Sequence, residues 1–524
     1  MSTSFALRGS GIHLIDPHDD VAVATRQLEL GETVGGGVDV REPIPRGHKI
    51  ALRAIGAGQE VRKYGWPIGR ARCDIAAGTL VHTANLATQL SGLNSYEYRP
   101  SPAGDNTGAD TSAVASSGVG DKAGSRGPTG VGGSAALHFM GYRRANGRVG
   151  TRNEIWILTT VGCVTRTAQR IARIGADRFA GRIDGVHSFT HPFGCSQIGD
   201  DLSRTRRILA SLIAHPNAGG VLVVGLGCES NQLDRLLQEA GPIDPARIRS
   251  FCAQATDDEE EEGLQALEEL VGAAERDVRE PCPLSALSIG LKCGGSDGFS
   301  GITANPVVGI VADRVANAGG TPILTEIPEV FGAEHLLMQR AIDRKVFDDV
   351  VGVVNRFKQY FLDHGQPIYE NPSPGNIAGG ITTLEEKSLG AIQKGGRTRV
   401  TQVLEYGQRA CVPGLALLES PGNDAISSTA LVAAGATVLL FTTGRGTPLG
   451  FPVPTLKIAS NTPLAEKKPR WIDFDAGRVL TGMSPDAAAA ELLQLVIETA
   501  SGKPARNELN DEREVAIWKN GVTL

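Results

Sequence analysis

The chain has 524 residues, of which 41% are apolar and 21% charged, and a formal net charge of −6. This length exceeds one ordinary domain, so we expect about two to four domains. The mild negative charge and the absence of a basic patch exclude a nucleic-acid-binding protein. No apolar run reaches the roughly 18 to 20 residues of a membrane span, which excludes an integral membrane protein.

The eight cysteines fit a reducing compartment. The first eight residues lack the apolar core of a secretion signal, so the sequence predicts a cytoplasmic protein. Cysteines in a long cytosolic chain rarely form a disulfide framework. We therefore expect reduced thiols that are buried, bound to metal or catalytic.

Residues 1–98 predict a small β domain, because short runs such as residues 21–24 and 44–52 are separated by glycines. Residues 99–136 consist mostly of Gly, Ser, Ala, Thr and Asp and contain no aromatic residue. That composition is typical of a flexible linker. Its length implies that the N-terminal domain moves, or at least need not pack tightly on the rest.

From residue 137 onward, predicted strands alternate with predicted helices, which indicates a mostly parallel sheet covered by helices on both faces. Residues 137–284 form a first α/β unit, with strands at 154–161, 185–190 and 220–225 and helices at 166–174, at 202–215 and after the acidic run 257–262. Residues 285–524 form a second unit, with strands at 286–291, 322–325, 400–404 and 437–442. The fold class is α/β, with one or two such domains after the β domain.

Cysteines recur where apolar runs end. Cys163, Cys195 and Cys228 each follow a glycine after a predicted strand, and Cys293 ends a fourth strand. Ligands bind beyond the carboxyl ends of parallel strands, so these four thiols are candidate ligands of one soft metal. A single buried cysteine usually only packs, but four in one position favour a metal site. His191 adds an imidazole, which suits zinc or iron; the other cysteines are interpreted as structural: Cys73, Cys252, Cys282 and Cys411.

Two loops of the second unit predict an anion site. Ser296 and Asp297 lie in a glycine-rich turn before a helix, where backbone N–H groups bind carboxylate or phosphate. Arg445 stands between two glycines, with Thr447 nearby, and can pair bidentately with a carboxylate. Glu326, at the end of a strand, is a candidate metal ligand or proton shuttle, as is its neighbour Glu329.

Two histidines of the N-terminal domain are further candidates. His48 lies in a turn, and His82 follows a glycine turn. Both are candidates for binding metal or substrate, although their spacing matches no fixed ligand motif.

Five motifs together resemble the altronate/galactarate dehydratase family. They are residues 146–153 (NGRVGTRN), 191–195 (HPFGC), 225–232 (GLGCESNQ), 293–297 (CGGSD) and 441–448 (FTTGRGTP). Residues 1–98 resemble its SAF domain, a small β-clip module. Altronate-type members are more similar than galactarate-type members, on residues 357–361 (FKQYF), 366–371 (QPIYEN), 471–477 (WIDFDAG) and 516–524 (AIWKNGVTL). One departure is Ala84, where altronate-type members usually have a second histidine two residues after the one that matches His82.

The resemblance implies a reaction and a cofactor. The reaction is the dehydration of D-altronate to 2-keto-3-deoxy-D-gluconate in hexuronate breakdown. The cofactor is iron, either as mononuclear Fe²⁺ or as an iron–sulfur cluster held by three thiolates. A small sugar acid is the expected substrate, and a homo-oligomer, a dimer, is the expected assembly.

Dehydration next to a carboxylate needs a cation at the carboxylate, a Lewis acid at the departing hydroxyl and a base for the α-proton. We expect Arg445 and the turn at residues 293–297 to hold the carboxylate. The metal is expected among the four thiols and His191, and either His191 or Glu326 is the base. His191 can fill only one of these roles.

Three alternatives remain open at this stage. They are galactarate dehydration, a sulfo-lyase reaction on the same scaffold, and a sensor that binds a sugar acid or metal without turnover. Products separate them, because a dehydratase forms a keto acid, a sulfo-lyase releases sulfite and a sensor forms neither.

Overall fold

The computed structural model describes residues 11–99 and 137–524. The predicted linker, apart from Arg99, lies outside the described residues. The α/β fold class is confirmed: a small N-terminal β domain precedes two parallel sheets.

The N-terminal domain consists of short antiparallel strands. One four-stranded sheet pairs them in the order Ile12–His13, Val21–Ala24, Lys49–Ala51 and Leu80–Val81. A three-stranded sheet contains Glu60–Lys63, Trp66–Ala71 and Leu86–Ala87, and Thr33–Val34 pairs with Val38–Asp39. Small aliphatic side chains such as Leu28, Ile44 and Ile50 fill the core between the strands.

A three-stranded antiparallel sheet begins the rest of the chain. Its central strand His138–Arg143 pairs with Val149–Gly150 on one side and with Glu280–Pro283 on the other. The two ends of the first α/β unit therefore meet in this sheet.

The first α/β unit contains a parallel four-stranded sheet. Its order is Gly185–Phe189, Glu154–Thr159, Ala218–Gly225 and Ile248–Cys252. The helices are Thr165–Arg178, Gly199–Ile213, Leu233–Ala240 and Glu259–Ala274. The predicted acidic helix begins where the Asp258 side chain accepts hydrogen bonds from the N–H groups of Glu260 and Glu261, an N-cap that satisfies two otherwise unpaired donors.

The second unit contains a parallel seven-stranded sheet. Its order is Val400–Leu404, Leu415–Leu418, Thr321–Leu324, Ser288–Cys293, Val438–Thr443, Thr455–Ala459 and Phe474–Asp475. The helices around it are Ala304–Asn317, Glu334–Met338, Arg344–Asp363, Pro374–Ala378, Leu384–Ala391, Asp424–Ala433, Thr462–Lys467, Pro485–Ala500 and Arg506–Leu509. Ser288–Cys293 is the central strand, with three strands on either side.

The N-terminal domain packs tightly on the second unit, contrary to the expectation from the linker. Lys49 and Lys63 are buried and both donate to Glu386, at 2.8 and 2.7 Å. Gly298 allows a close approach, because a Cβ built there would lie 1.9 Å from the carbonyl oxygen of Gly47. The sequence did not predict this contact, because composition between two domains carries no information about the surfaces that they present to each other.

No helix in residues 11–99 and 137–524 combines the length and apolar character needed to cross a membrane.

Candidate active site

A cluster of buried charged side chains lies at the carboxyl edge of the seven-stranded sheet. Lys292 and Cys293 end the strand Ser288–Cys293, and Glu326 and Glu329 flank the short turn after Thr321–Leu324. These four residues are at most 5% exposed. Glu326 has φ of 70°, in the left-handed region that non-glycine residues rarely adopt, and such strain concentrates at functional sites.

Lys292 is the innermost cation of the cluster. Its Nζ donates to Glu326 Oε1, to Asp424 Oδ1 at 2.8 Å and to its neighbour's carbonyl, Cys293 O, at 2.5 Å. Although burial disfavours the ammonium, Asp424 and Glu326 raise the pKa of Lys292 above its usual value. Lys292 is therefore a fixed positive charge.

Two further lysines reach the cluster from the helix Leu384–Ala391 and the turn after it. Lys387 Nζ donates to Glu329 Oε1 at 2.8 Å. Lys394 Nζ contacts Cys293 Sγ at 2.9 Å and lies 3.7 Å from Glu326 Oε2. Each carboxylate of the buried pair therefore has a lysine partner, as buried charges require.

The thiol of Cys293 lies between the two carboxylates. Its Sγ is 3.5 Å from Glu326 Oε2 and 3.3 Å from Glu329 Oε2. Burial and the neighbouring Glu326 raise the pKa of Cys293 to about 12, against the opposing effect of Lys394, so the thiol remains protonated at neutral pH.

The two carboxylates differ in proton affinity. Burial, with the nearby Glu329, raises the pKa of Glu326 even though Lys292 opposes it. Burial also disfavours ionisation of Glu329, but Lys387 and Lys292 outweigh it and hold its pKa at about 2. Such a split between adjacent carboxylates is typical of acid–base sites.

The cluster also offers a possible metal-binding group. Within residues 11–99 and 137–524, the ligand atoms of Cys293, Glu326 and Glu329 all lie within 4.8 Å of one another, close enough to share one ion. The sulfur already contacts Lys394, and Glu329 already pairs with Lys387. A cation entering this group would have to displace those ammonium groups.

An open cavity of about 500 Å³ lies over the cluster. Glu329 and Lys387 line it and connect it to the buried charges. Lys387 also donates to Asn371 Oδ1 at 3.0 Å and to Asn376 Oδ1 at 3.2 Å. The remaining lining residues are Gly294, Gly295, Glu370, Ser373, Pro374, Gly422 and Asp424.

Arg445 lies beside this cavity. Its backbone N–H donates to Gly295 O at 3.0 Å, and its side chain passes Gly375, where a built Cβ would lie 3.8 Å from Arg445 Nε. The side chain is exposed and has no carboxylate partner in the described part of the chain. Its guanidinium is free to pair with an anion.

The other predicted anion-binding residues have structural partners. Asp297 Oδ1 accepts from the N–H groups of Phe299 and Ser300 and from the Ser460 hydroxyl, so its carboxylate is occupied in shaping the turn. The carbonyl of Ser296 accepts from Asn376. A separate contact is made by Thr447, whose hydroxyl oxygen accepts from the N–H of Leu449.

The predicted metal ligands are divided between two sheets. Cys163, Cys195 and Cys228 are exposed in the loops that follow parallel strands of the four-stranded sheet. Cys293 is buried at the edge of the seven-stranded sheet. Cys293 therefore differs from the other three in both burial and sheet.

His191 also has structural partners. It is buried, its Nε2 lies 2.9 Å from Thr159 O, and its Nδ1 accepts from the N–H of Phe193 at 3.1 Å. Burial lowers the pKa of His191 to about 4. The neutral ring therefore has no free nitrogen for a metal or for a substrate proton.

The structure brings His48 and His82 together, with ring centroids 5.3 Å apart. His82 Nε2 lies 3.1 Å from Ile377 O, in the segment whose residues Pro374 and Asn376 line the cavity. The two histidines adjoin that segment but are not among the residues that line the cavity.

Sequence reasoning missed the three lysines. Lysine is almost never fully buried unless it is paired, so a lysine is normally read as a surface residue. A signal was present at Lys292, which interrupts the otherwise apolar strand Ser288–Cys293. No comparable signal marks Lys387 or Lys394, because their partners, Glu329 and Cys293, are distant in the sequence.

Models of three protein domains match the chain. They are described as the altronate/galactarate dehydratase SAF domain, over residues 11–89, the D-galactarate dehydratase/altronate hydrolase second domain, over residues 141–275, and the D-galactarate/altronate dehydratase C-terminal domain, over residues 284–523. Together they cover most of the described residues.

Full-length relatives are similar over nearly the whole chain. An altronate dehydratase of Escherichia coli (strain K12) is 50% identical over 97% of this chain and 98% of its own length. An altronate dehydratase of Bacillus subtilis (strain 168) is 47% identical over 97% of this chain and 99% of its own length. A galactarate dehydratase (L-threo-forming) of Escherichia coli is 33% identical over 93% of this chain and 92% of its own length.

Proposed function

The chain belongs to the altronate/galactarate dehydratase family, as its motifs predicted, and from this premise we propose that it dehydrates D-altronate to 2-dehydro-3-deoxy-D-gluconate. The observation that carries the proposal is its greater identity to altronate dehydratases than to a galactarate dehydratase. We assign this reaction to the cavity over the lysine–carboxylate cluster.

The reaction removes a proton from C2, next to the carboxylate, and hydroxide from C3. The resulting enol then takes up a proton at C3 to give the 2-keto acid. Removal of the C2 proton places negative charge on the carboxylate, so positive charge must already be fixed nearby. Lys387, which lines the cavity, and Arg445, beside it, supply that charge.

Arg445 is the proposed anchor of the substrate carboxylate. A guanidinium binds a carboxylate through two parallel hydrogen bonds, and this one has no acidic partner in the described residues. Asn371 and Asn376, held by Lys387, present amide groups for the sugar hydroxyls.

Glu329 is the proposed first acceptor of the C2 proton, because it is the carboxylate of the buried pair that lines the cavity. Cys293 then donates its thiol proton to Glu326 and takes the proton held by Glu329. Glu326 retains it, since burial raises its pKa. In this relay Glu326, one of the two candidate bases from the sequence, is the final proton acceptor, and Glu329 and Cys293 connect it to the substrate.

Iron is the proposed cofactor, as the resemblance implied. When bound, iron supplies a Lewis acid that polarises a hydroxyl group and eases its departure. The two possible sets of ligands are the exposed thiols Cys163, Cys195 and Cys228, and the Cys293 group, whose sulfur already contacts a lysine.

His48 and His82 are proposed to act through the cavity wall. His82 Nε2 forms a hydrogen bond with Ile377 O, and the His48 ring stacks on the His82 ring. The two histidines therefore fix the segment that contains Asn376.

A substrate panel tests the proposed reaction. Purified protein with Fe(II) and a thiol reductant is supplied with D-altronate, galactarate or sulfolactate, and keto acid and sulfite are measured. We expect the highest kcat/KM for keto-acid formation from D-altronate. Preference for galactarate, sulfite release, or altronate binding without keto acid would each reject the proposal.

Variants test the site. Glu326→Gln and Glu329→Gln each remove one proton acceptor and should lower kcat by about 100- to 10,000-fold, the usual contribution of general base catalysis. The matched control is Glu334→Gln, because Glu334 is also buried and also pairs with a lysine, Lys358, at 2.7 Å. If the control loses as much kcat as the site variants, the losses report folding and the assignment fails.

A further inference from the structure

A second cavity, of about 350 Å³, lies at the opposite edge of the seven-stranded sheet from the candidate active site. Ser288 and Thr321, the first residues of their strands, line it, and so does Thr437, just before a third strand. The strand Ser288–Cys293 runs from this cavity to the buried cluster, a length of about 17 Å at ~3.3 Å per residue. The cavity is therefore separate from the one over the lysine–carboxylate cluster.

Arg148 reaches this cavity from the first α/β unit. It follows the turn of a hairpin whose second strand is Val149–Gly150. The N–H of Arg148 donates to Asn146 Oδ1 at 3.1 Å, and Gly147 has φ of +81°, a conformation that favours glycine. The turn begins the motif at residues 146–153, none of which takes part in the proposed reaction. The motif thus places a cation against the second unit.

The half-buried guanidinium of Arg148 has no carboxylate partner in residues 11–99 and 137–524. Three arginines of the same segment each have one at 2.5 to 2.7 Å: Arg143 with Glu280, Arg144 with Asp277 and Arg152 with Glu508. Within these described residues the side chain of Arg148 makes one hydrogen bond, from Nη2 to Ala410 O at 3.5 Å. That distance is long for an N–H···O bond, so most of its N–H donors are unused.

An arginine that serves only the fold has different contacts in this chain. Arg340 also lacks a carboxylate within 4.0 Å in the described part of the chain, but its Nε donates to Thr398 O at 2.9 Å. Its Nη2 donates to Thr398 O at 2.6 Å and to Gly395 O at 2.9 Å. Backbone carbonyls satisfy Arg340, whereas Arg148 has no such set of acceptors.

The end of the helix Asp424–Ala433 does not satisfy Arg148 either. Gly435 follows this helix, and a Cβ built there would lie 3.6 Å from Arg148 Nη1. Two of the last helix carbonyls, at Leu431 and Val432, already accept from N–H groups that follow the helix, at 3.1 and 2.9 Å. A helix end carries only about half an elementary charge, so the positive charge of Arg148 is not balanced there.

Arg409 adds a second positive charge. Its Nη2 lies 3.5 Å from Ala240 O, and it too has no carboxylate partner in the described ranges. Burial, and then the charge of Arg409, lower the pKa of Arg148 from its usual value. Two neighbouring cations without an anion repel each other, so a bound anion would stabilise both.

The remaining polar groups of the cavity are hydroxyls. Arg148 is the one charged side chain that lines the cavity within the part of the chain that the structure describes. The hydroxyls of Ser285, Ser288 and Thr321 have no hydrogen-bond partner among those residues. The lining therefore combines one guanidinium with three unpaired hydroxyl groups.

We propose that this cavity binds a small hydroxylated anion, a sugar acid or a sugar phosphate, whose anionic group pairs with Arg148. A guanidinium matches both carboxylate and phosphate, and the serine and threonine hydroxyls bond to the hydroxyl groups of the ligand. The volume falls within the range of about 300 to 1,000 Å³ that is usual for small-molecule sites. This site goes beyond the proposed reaction and does not depend on it.

Cys411 provides the test, because it is exposed and lines the cavity. The full chain is treated with N-ethylmaleimide alone or with D-gluconate, glucose 6-phosphate or uncharged D-glucose, and labelled peptides are quantified by mass spectrometry. We expect D-gluconate, glucose 6-phosphate or both to slow labelling of Cys411 about 10-fold at about 10 times Kd, by mass action, and D-glucose to have no effect. Cys73, exposed in the N-terminal domain, is the internal control and should be labelled at a constant rate. Protection by D-gluconate identifies a carboxylate ligand, and protection by glucose 6-phosphate a phosphate ligand.

Variants locate the protection. Arg148→Gln should raise the anion concentration for half protection by about 10- to 100-fold, the effect of losing a hydrogen bond to a charged group. The matched control Arg143→Gln, in the same hairpin, should not change it, and neither should Arg445→Gln, because the two cavities are separate. No protection by either anion, equal protection by D-glucose, unchanged protection in Arg148→Gln or its loss in Arg445→Gln would each overturn the proposal.

Discussion

Cys293 occupies the position on which the proposed proton relay depends. Its thiol is within 3.5 Å of Glu326 Oε2 and 3.3 Å of Glu329 Oε2. The two carboxylates differ in pKa because burial and the nearby Glu329 raise the pKa of Glu326, whereas Lys387 and Lys292 lower the pKa of Glu329. A group at this position that can both give and accept a proton connects them.

Cys293→Ala should therefore lower kcat by about 100-fold or more, the scale of general acid–base catalysis, whereas Cys293→Ser keeps a hydroxyl and should lose less. Steady-state kinetics with D-altronate measure both. Cys282→Ala is the control, because Cys282 is also fully buried but lies in the antiparallel sheet. Wild-type kcat in Cys293→Ala would refute the relay.

Arg445→Gln should weaken substrate binding. A hydrogen bond to a charged group contributes about 1.5 to 3 kcal/mol, so KM should rise about 10- to 100-fold. The side chain is exposed, so the thermal midpoint should stay unchanged. Arg445→Lys keeps the charge but cannot form two parallel hydrogen bonds, so its KM should lie between those of the wild type and Arg445→Gln. An unaltered KM in Arg445→Gln would show that Arg445 does not bind the substrate carboxylate.

For single residues, the sequence was informative where the residue type and its position after a strand both indicated a function. Glu326, after a strand, is part of the buried cluster, and Arg445, between glycines, lies beside the cavity over it. Asp297 and His191 had the expected chemical types, yet their polar atoms are occupied by nearby backbone and side-chain groups. Whether a polar atom is free depends on contacts from other parts of the chain, which spacing does not encode.

The helix Leu384–Ala391 links the N-terminal domain to the candidate active site. Glu385 accepts from the Thr88 hydroxyl and the Gln89 N–H. Glu386 is bonded to both Lys49 and Lys63, while the next residue, Lys387, faces the cavity. Docking of the N-terminal domain therefore helps to position Lys387.

Glu386→Gln leaves two buried ammonium groups without their carboxylate. Breaking a buried ion pair costs about 3 to 5 kcal/mol, so the free energy of unfolding should fall by that amount in denaturant titrations. Lys387 loses its fixed neighbour, so kcat should fall as well. A variant as stable as the wild type would show that the buried triad does not hold the domain in place.

The same carboxylate predicts a pH dependence. Burial disfavours its charged form, but Lys49 and Lys63 hold the pKa of Glu386 at about 2, below the ordinary 4.5. Its stabilisation is complete above about pH 4.5 and is lost as the pH falls towards 2. Unfolding titrations across this window should show a steeper loss for the wild type than for Glu386→Gln; equal slopes would contradict the depressed pKa.

Most strands and helices were predictable because their apolar periodicity is local. Val400–Leu404 has the predicted bounds, and Gly185–Phe189 differs by one residue. The sequence also predicted two α/β units, at residues 137–284 and 285–524. The order of the strands within each sheet was not predictable, because strand order depends on long-range pairing that a local pattern does not contain.

At the scale of the whole molecule, the buried contacts of Lys49 and Lys63 with Glu386 imply that the interface with the second unit holds the N-terminal domain in place. A chain cut by an inserted protease site between residues 99 and 137 should therefore stay associated. Both fragments should elute together from gel filtration and retain keto-acid formation. Separate elution at micromolar concentration would show that the covalent connection, and not the interface, holds the domain.

The most direct test of the account follows D-altronate by proton NMR in deuterium oxide, with wild-type protein and with Glu326→Gln. The wild type should give a 2-keto-3-deoxy acid with one deuterium at C3, because C2 loses its proton, C3 loses hydroxide and the enol takes up solvent deuterium at C3. Glu326→Gln should form this product at least about 100-fold more slowly. Unchanged altronate with the wild type, or equal rates in both proteins, would contradict dehydration at this lysine–carboxylate site.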